Sequence, residues 1–239
     1  MRARYFLHPE SIRRLFDSVA PTYDLLNHLL SLRRDVSWRR RAVRELEDSR
    51  GWILDIATGT GDVAIEIVCR NGTGRRVFGV DFSRAMIERA RGKLQKKGLS
   101  ERVSLGFGDA LALPFRKDTF SASIIAFGLR NIVDKEQALS EMIRVIQRGG
   151  RVIVLEFTLP QPRMVRKLYS FYFQTLLPRV GGLLSGDRSA YAYLPQSVLE
   201  FPDAETYAGI MRRVGLEGVR SRRLTCGIAS IITGVKKPS

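Results

Sequence analysis

Hydrophobic positions along this chain follow two rhythms. Between residues 9 and 47 they recur every three or four positions. Ile12, Leu15, Phe16 and Val19 form one stripe. Leu25, Leu26, Leu29, Leu30 and Leu32 form a second, after a break at Ala20-Pro21-Thr22-Tyr23-Asp24. Val36, Trp38, Val43 and Leu46 form a third. This spacing predicts three helices, starting near Pro9-Glu10-Ser11. From residue 51 short apolar runs alternate with helical stretches. Strands are expected at 52–56, 76–80, 103–107, 121–126 and 151–156, and helices at 62–70, 83–97 and 135–147. Gly149-Gly150 would stop the last of these helices. Such alternation implies βαβ units and a parallel sheet covered on both faces, an α/β fold. Helical patterns follow at 162–177 and 203–214. Two strand-like runs, 217–224 and 228–235, meet at Cys226-Gly227 and should pair as an antiparallel hairpin at the sheet edge. No repeat or low-complexity linker divides the chain, so one domain is expected. Its parts are an N-terminal helical lid (1–48), a ligand-binding core (51–157), a helical insertion (158–215) and the edge hairpin (216–239). The first part reads equally as a packing or dimer surface.

The richest chemistry lies in Trp52–Ala64, where a strand, a Gly-rich turn and a helix bring backbone close to a small ligand. Gly59-x-Gly61-x-x-Ala64 also fits a dinucleotide fingerprint. There a pyrophosphate occupies the N-terminus of the first helix, and here that position carries Asp62. With Asp55 at the strand end, it disfavours phosphate. It suits a ligand bearing positive charge, such as the sulfonium and amino groups of S-adenosylmethionine. Asp62 could also serve the helix dipole. Asp81 ends the second strand, roughly 20 residues past the glycines, the spacing at which an acid reaches ribose hydroxyls. Asp81 or Ser83 could instead cap the next helix. Asp109-Ala110 follows the third strand, where a loop can present a carboxylate to an adenine amino group. The fourth strand runs into Phe127-Gly128-Leu129-Arg130-Asn131. Strand C-termini in such sheets open onto the ligand crevice, so Arg130 and Asn131 should face the cleft. Read alone, Arg130 is more simply a surface charge.

Charge changes the picture more than composition does. The net charge is +16, which favours an anionic partner, either nucleic acid or an anionic lipid surface, over a neutral one. A solvated basic surface would produce the same number. Cys69 and Cys226 form no CxxC pair, so no metal site is expected, and Cys69 should be a small core residue. No apolar stretch is long enough for a signal peptide or a transmembrane helix. A cytoplasmic protein is expected, with peripheral contact at the inner face of the membrane.

Several stretches, in collinear order, together resemble the menaquinone/ubiquinone biosynthesis C-methyltransferases. They are Phe16–Asp24, Leu54–Asp62, Leu113-Pro114-Phe115, Phe127–Asn131, Gly150–Phe157, Tyr191-x-Tyr193-Leu194-Pro195-Gln196-Ser197 and Phe201-Pro202. The resemblance implies a class I methyltransferase, Rossmann-like fold: a seven-stranded, mostly parallel sheet with the antiparallel hairpin. It implies S-adenosylmethionine as methyl donor. The acceptor would be a polyprenyl quinol, either demethylmenaquinol or 2-polyprenyl-6-methoxy-1,4-benzoquinol, methylated on a ring carbon. Cofactor contacts carry over to Thr60, Asp81, Asp109 and Ala110, beside Asp55, Gly59 and Gly61 of the loop. Ala126 stands where the family often has Ser, so a hydroxyl contact is missing. Arg130 would stabilise the quinolate or orient a water, since a guanidinium stays protonated. Tyr23 would hydrogen-bond the same oxygen. Asp109 or water would take the proton. The polyprenyl tail needs apolar surface, which 168–184 offers as channel, membrane face or plain core. Arg163, Arg166, Lys167 and Arg179 flank it and could meet lipid phosphates. Nucleic acid is not expected as substrate, because no Asn/Asp-Pro-Pro-Tyr/Phe motif and no catalytic-loop Cys is present. A non-catalytic quinone-binding protein is the other alternative, and a homodimer is compatible with either.

Overall fold

The computed structural model describes residues 9–70, 74–158, 160, 164 and 203–238. Three helices open the described chain: α1 (Pro9–Val19), α2 (Tyr23–Ser31) and α3 (Arg34–Arg44). The alternating part follows as β1 (Trp52–Ile56), α4 (Asp62–Arg70), β2 (Arg76–Asp81), α5 (Arg84–Lys96), β3 (Val103–Phe107), β4 (Phe120–Ala126), α6 (Lys135–Val145) and β5 (Ile146–Phe157). The chain closes with α7 (Ala204–Arg213), β6 (Leu216–Leu224) and β7 (Ala229–Lys236). The seven strands form one sheet in the order β3-β2-β1-β4-β5-β7-β6. The first five run parallel, and β7 pairs antiparallel with both β5 and β6. The reversal between β1 and β4 puts a crevice at the strand C-termini, where such sheets bind ligands.

Each face of the sheet carries its own core. On one face Trp38, Val43, Ile67, Met86 and Leu94 pack against Ile53, Val77 and Ile153. On the other, Leu139, Met142, Tyr207 and Met211 pack against Leu54, Ile125 and Val154. Alternate residues of one strand thus serve opposite layers, as a sheet covered on both sides requires. Trp38 anchors α3 across the strand ends: its ring meets Phe157 edge-on at 5.8 Å and its indole N–H donates to Thr225 at 2.9 Å.

Two expectations are corrected. Gly149-Gly150 does not cap α6, which ends at Val145. Ile146 already pairs with Phe120 in the sheet, and the register shifts before Ala122 meets Arg151. The glycines form that irregularity. Gly149 has φ +74°, and a Cβ on Gly150 would lie 2.8 Å from the Ser121 carbonyl. Cys69 is exposed on α4 rather than packed in the core. The apolar stretch 168–184, its flanking basic residues and the expected helix at 162–177 lie outside the described residues, save Met164.

Candidate cofactor and active site

A cleft enclosing about 830 Å³, measured out to its open mouth, lies at the ends of β1, β2 and β4. Its walls are apolar: Ile56, Val80, Met86 and Phe127 from the core side, and Ile12, Phe16 and Tyr23 from α1 and α2. The strand ends are held in an unusual conformation. Ala57 and Phe127 adopt left-handed φ of 51° and 57°, although neither is glycine. A Cβ on Gly128 would sit 2.6 Å from that of Ala57, so only glycine lets the β1 and β4 ends approach so closely.

The predicted cofactor residues fall into two groups. Gly59, Asp81, Asp109 and Ala110 line the cleft. Asp81 is buried and accepts from the Gly59 amide at 2.8 Å and the Ser83 amide at 2.9 Å. It is not the cap of α5; Ser83 is, accepting from the Met86 amide. Burial pushes the Asp81 carboxyl up to about 6, against the pull of those amides. With the Phe82 amide as a third donor, the carboxylate still keeps acceptor capacity for a ligand donor. Asp55 lies beneath the loop, outside the cleft lining, and accepts from the Thr58 hydroxyl at 2.6 Å. Burial pushes it up to about 7. It shapes the Gly-rich turn from below. Gly61 faces α5, where a Cβ would come within 3.2 Å of Ala90 Cβ, and its φ is +84°.

Thr60 and Ala126 border a smaller polar annex beside the cleft, shared with Tyr23, Asn27, Arg39 and Asp62. The charges there revise the sequence argument from Asp62. Its carboxylate is not free to repel a phosphate: Arg39 lies 3.1 Å away and Lys93 2.8 Å away. Lys93 also meets Asp24 at 2.6 Å, and the Thr60 hydroxyl donates to Asp24 at 2.6 Å. Burial raises the Asp24 carboxyl, but hydrogen bonds from Lys93 and Thr60 outweigh it and hold the group below the usual carboxylate range. In the sequence Lys93 carries no signal, and Arg39 stands out only as the first of the basic cluster Arg39-Arg40-Arg41. A helical period assigns a residue to a face but not to a partner 31 positions away.

Contrary to expectation, the Arg130 guanidinium does not line the cleft. The 3₁₀ turn Leu129–Asn131 carries Asn131 to the cleft wall and turns Arg130 inward. There Arg130 pairs with Glu156 of β5 at 2.7 Å, both side chains being 0% exposed. It also donates to the Phe127 carbonyl and lies 5.4 Å from the centre of the Phe157 ring. A guanidinium under this turn needs a counter-charge, and Glu156 supplies it. Glu156 further accepts from the Arg130 and Phe157 amides, at 3.1 and 3.0 Å. Tyr23 does reach the cleft. Its ring meets Phe16 edge-on at 6.0 Å, and burial raises its phenol pKa, with Arg130 acting in the opposite direction.

The residues fit S-adenosylmethionine. An apolar slot suits the adenine, the Asp81 carboxylate suits the ribose hydroxyls, and the glycine turn leaves room above the loop. Sheet order and slot together place the protein in the class I, Rossmann-like S-adenosylmethionine-dependent methyltransferases. Solved structures share this fold at low identity. A SAM-dependent methyltransferase from Thermotoga maritima superposes with TM-score 0.66 at 20% identity, covering 94% of this chain and 99% of that one. A Haemonchus contortus phosphoethanolamine N-methyltransferase in complex with S-adenosyl-L-methionine gives TM-score 0.62 at 15% identity, covering 84% of this chain and 52% of that one.

The chain belongs to the ubiE/COQ5 methyltransferase family, whose sequence model matches residues 6–236. It is 46% identical to a ubiquinone/menaquinone biosynthesis C-methyltransferase of Geobacter sulfurreducens, over 95% of this chain and 89% of that protein. It is 45% identical to a demethylmenaquinone methyltransferase of Deinococcus radiodurans, over 95% of this chain and 93% of that protein.

Proposed function

We propose that this protein transfers the methyl group of S-adenosylmethionine to a ring carbon of demethylmenaquinol, giving menaquinol. The observation that carries the reading is near-full-length identity of 42–46% to proteins of that name. The cleft supports it chemically. A related benzoquinol is the second acceptor, because the Geobacter sulfurreducens relative is named for both quinones.

When bound, S-adenosylmethionine supplies an electrophilic methyl group on sulfonium. The chain's own residues hold and align the reactants, and much of the rate comes from that alignment. Asp81 takes the ribose hydroxyls, and Asp109-Ala110 flank the adenine. The apolar walls exclude water and strengthen every polar contact inside. The Tyr23 phenol stays protonated, since burial raises its pKa, and donates to the quinol oxygen as that oxygen gains negative charge. Arg130 acts through the turn it braces rather than by touching the acceptor, and Asn131 is carried on that turn. The quinol proton passes to Asp109 or water.

The test is incubation of the purified protein with methyl-labelled S-adenosylmethionine and, in parallel, demethylmenaquinol, a demethylated benzoquinol and RNA. Label on the naphthoquinol ring carbon is the expected result. Label on RNA alone overturns the reading.

Peripheral contact with an anionic membrane belongs to the same proposal. No helix among the described residues is long and apolar enough to cross a membrane, the charge is +16, and the acceptor carries a polyprenyl tail. Binding to vesicles of phosphatidylglycerol that falls with added salt is expected; no binding at low salt removes the claim.

A further inference from the structure

Lys93 sits in the last turn of α5 and lines neither the cleft nor the annex. Its ammonium nevertheless joins three elements. It lies 2.6 Å from Asp24 of α2, 2.8 Å from Asp62 at the start of α4, and 2.9 Å from the Thr60 hydroxyl in the glycine turn. An ammonium has three donors, and all three are used. The ring closes through Thr60, whose hydroxyl donates to Asp24. The Lys93 side chain is 27% exposed, so water screens these contacts only in part.

We propose that Lys93 is a positioning residue for methyl transfer: by bridging Asp24 to Asp62 it holds α2 shut over the cofactor and sets the rate at which cofactor and product exchange. This rests on the reading of the cleft as the S-adenosylmethionine site. The neighbour of Asp24 is Tyr23, which lines both cleft and annex and lies 3.5 Å from where a Cβ on Gly59 would stand. Fixing Asp24 therefore fixes the side chain that roofs the glycine turn. Other ties of this roof are of a different kind: Asp35 of α3 holds the far end of α2 through His28 at 3.0 Å and Ser31 at 2.6 Å, and Ser83, the cap of α5, donates its hydroxyl to Asp17 of α1 at 2.6 Å. The Lys93 cluster thus holds the start of α2, and these ties hold α1 and the far end of α2. Without the ammonium, Asp24 and Asp62 would stand on either side of Thr60 as two like charges. Arg39 would still face Asp62 at 3.1 Å, but it acts on Asp24 only from beyond ion-pair distance. Attraction across the closed roof would become repulsion. The bridge breaks whenever α2 lifts, so its strength enters the opening rate directly.

The experiment measures two quantities on the full chain. One is the dissociation rate of S-adenosylhomocysteine by stopped flow. The other is amide hydrogen exchange over residues 23–31 without ligand. In Lys93→Met, S-adenosylhomocysteine should leave about tenfold faster, the size of a pairwise coupling between partly buried charges. Exchange in α2 should rise while β1 and β4 stay protected. Adding Asp24→Asn to Lys93→Met should slow dissociation part of the way back, because it removes the repulsion. Unchanged dissociation and unchanged α2 exchange in a folded Lys93→Met protein overturn the proposal, as do effects of the two substitutions that simply add. If Lys93→Met does not fold, the unaltered protein decides: α2 exchange rising with salt supports the bridge, and salt-independent exchange refutes it. Should S-adenosylhomocysteine fail to bind the unaltered protein, the cofactor reading falls, and the exchange arm still judges Lys93.

Discussion

The two ends of the cleft bury charge in opposite ways. Under the β1 and β2 ends, Asp55 and Asp81 form no ion pair among the described residues. They are held by the Thr58 hydroxyl and by the amides of Gly59 and Ser83. Under the β4 and β5 ends, Arg130 and Glu156 neutralise one another out of solvent. A carboxylate satisfied by N–H donors still has lone pairs to offer and a proton affinity raised by burial. A carboxylate locked to a guanidinium is committed to the fold. At Asp81, which lines the cleft, the first arrangement leaves a carboxylate able to take a ligand donor; the second makes a brace beneath the turn that presents Asn131.

The brace is the more fragile of the two arrangements. Glu156→Ala leaves the Arg130 guanidinium buried without its partner and should cost about 3–5 kcal/mol of stability, read from the denaturant midpoint. Asp81→Ala should act on affinity instead, weakening S-adenosylhomocysteine binding about 10- to 100-fold by calorimetry, the range expected for charge-assisted hydrogen bonds. Gly61→Ala is smaller: a left-handed φ of +84° and the contact with Ala90 should cost about 1–3 kcal/mol of stability. The gentlest perturbation is pH. Burial pushes the Asp55 and Asp81 carboxyls up to about 7 and about 6, from the ordinary 3.8 of an exposed aspartate. Between those values the folded state holds protons that the unfolded chain has released. Their contribution to stability is therefore full below about 4 and is lost as pH rises through about 6 and 7. Asp55→Asn should flatten that decline. Affinity for S-adenosylhomocysteine should move the opposite way, rising through about pH 6 as Asp81 ionises and accepts the ribose hydroxyls more strongly.

Most of the scaffold was readable because it obeys short periods. The five parallel strands announce themselves as apolar runs between helical stripes. The final hairpin appears as two runs around Cys226-Gly227, and the structure turns there through Thr225–Gly227. The place of Asp81 in the cleft wall was legible from its distance to the glycines, because a βαβ unit fixes which strand end faces the crevice. Three features escaped for one reason. The inward turn of Arg130 depends on Glu156, 26 positions later. The neutralisation of Asp62 depends on Arg39 and Lys93, which lie on other helices. The burial of Asp55 beneath its own loop depends on Thr58 turning back onto it. In each case the residue type and its element were correct, but its direction was set by a partner that local pattern does not reveal. The glycine pair at 149–150 misled in another way. Gly-Gly after a helical stripe reads as a cap, yet here Ile146 had already entered the sheet.

The most direct test of the central claim, that the amide-held carboxylate under β2 is the cofactor ligand while the ion pair under β5 is a brace, is one calorimetric titration. S-adenosylhomocysteine is titrated into Asp81→Asn and Glu156→Gln proteins side by side, each verified as folded. At least a tenfold loss of affinity is expected in Asp81→Asn, and near-normal affinity in Glu156→Gln. Near-normal affinity in Asp81→Asn would contradict that claim.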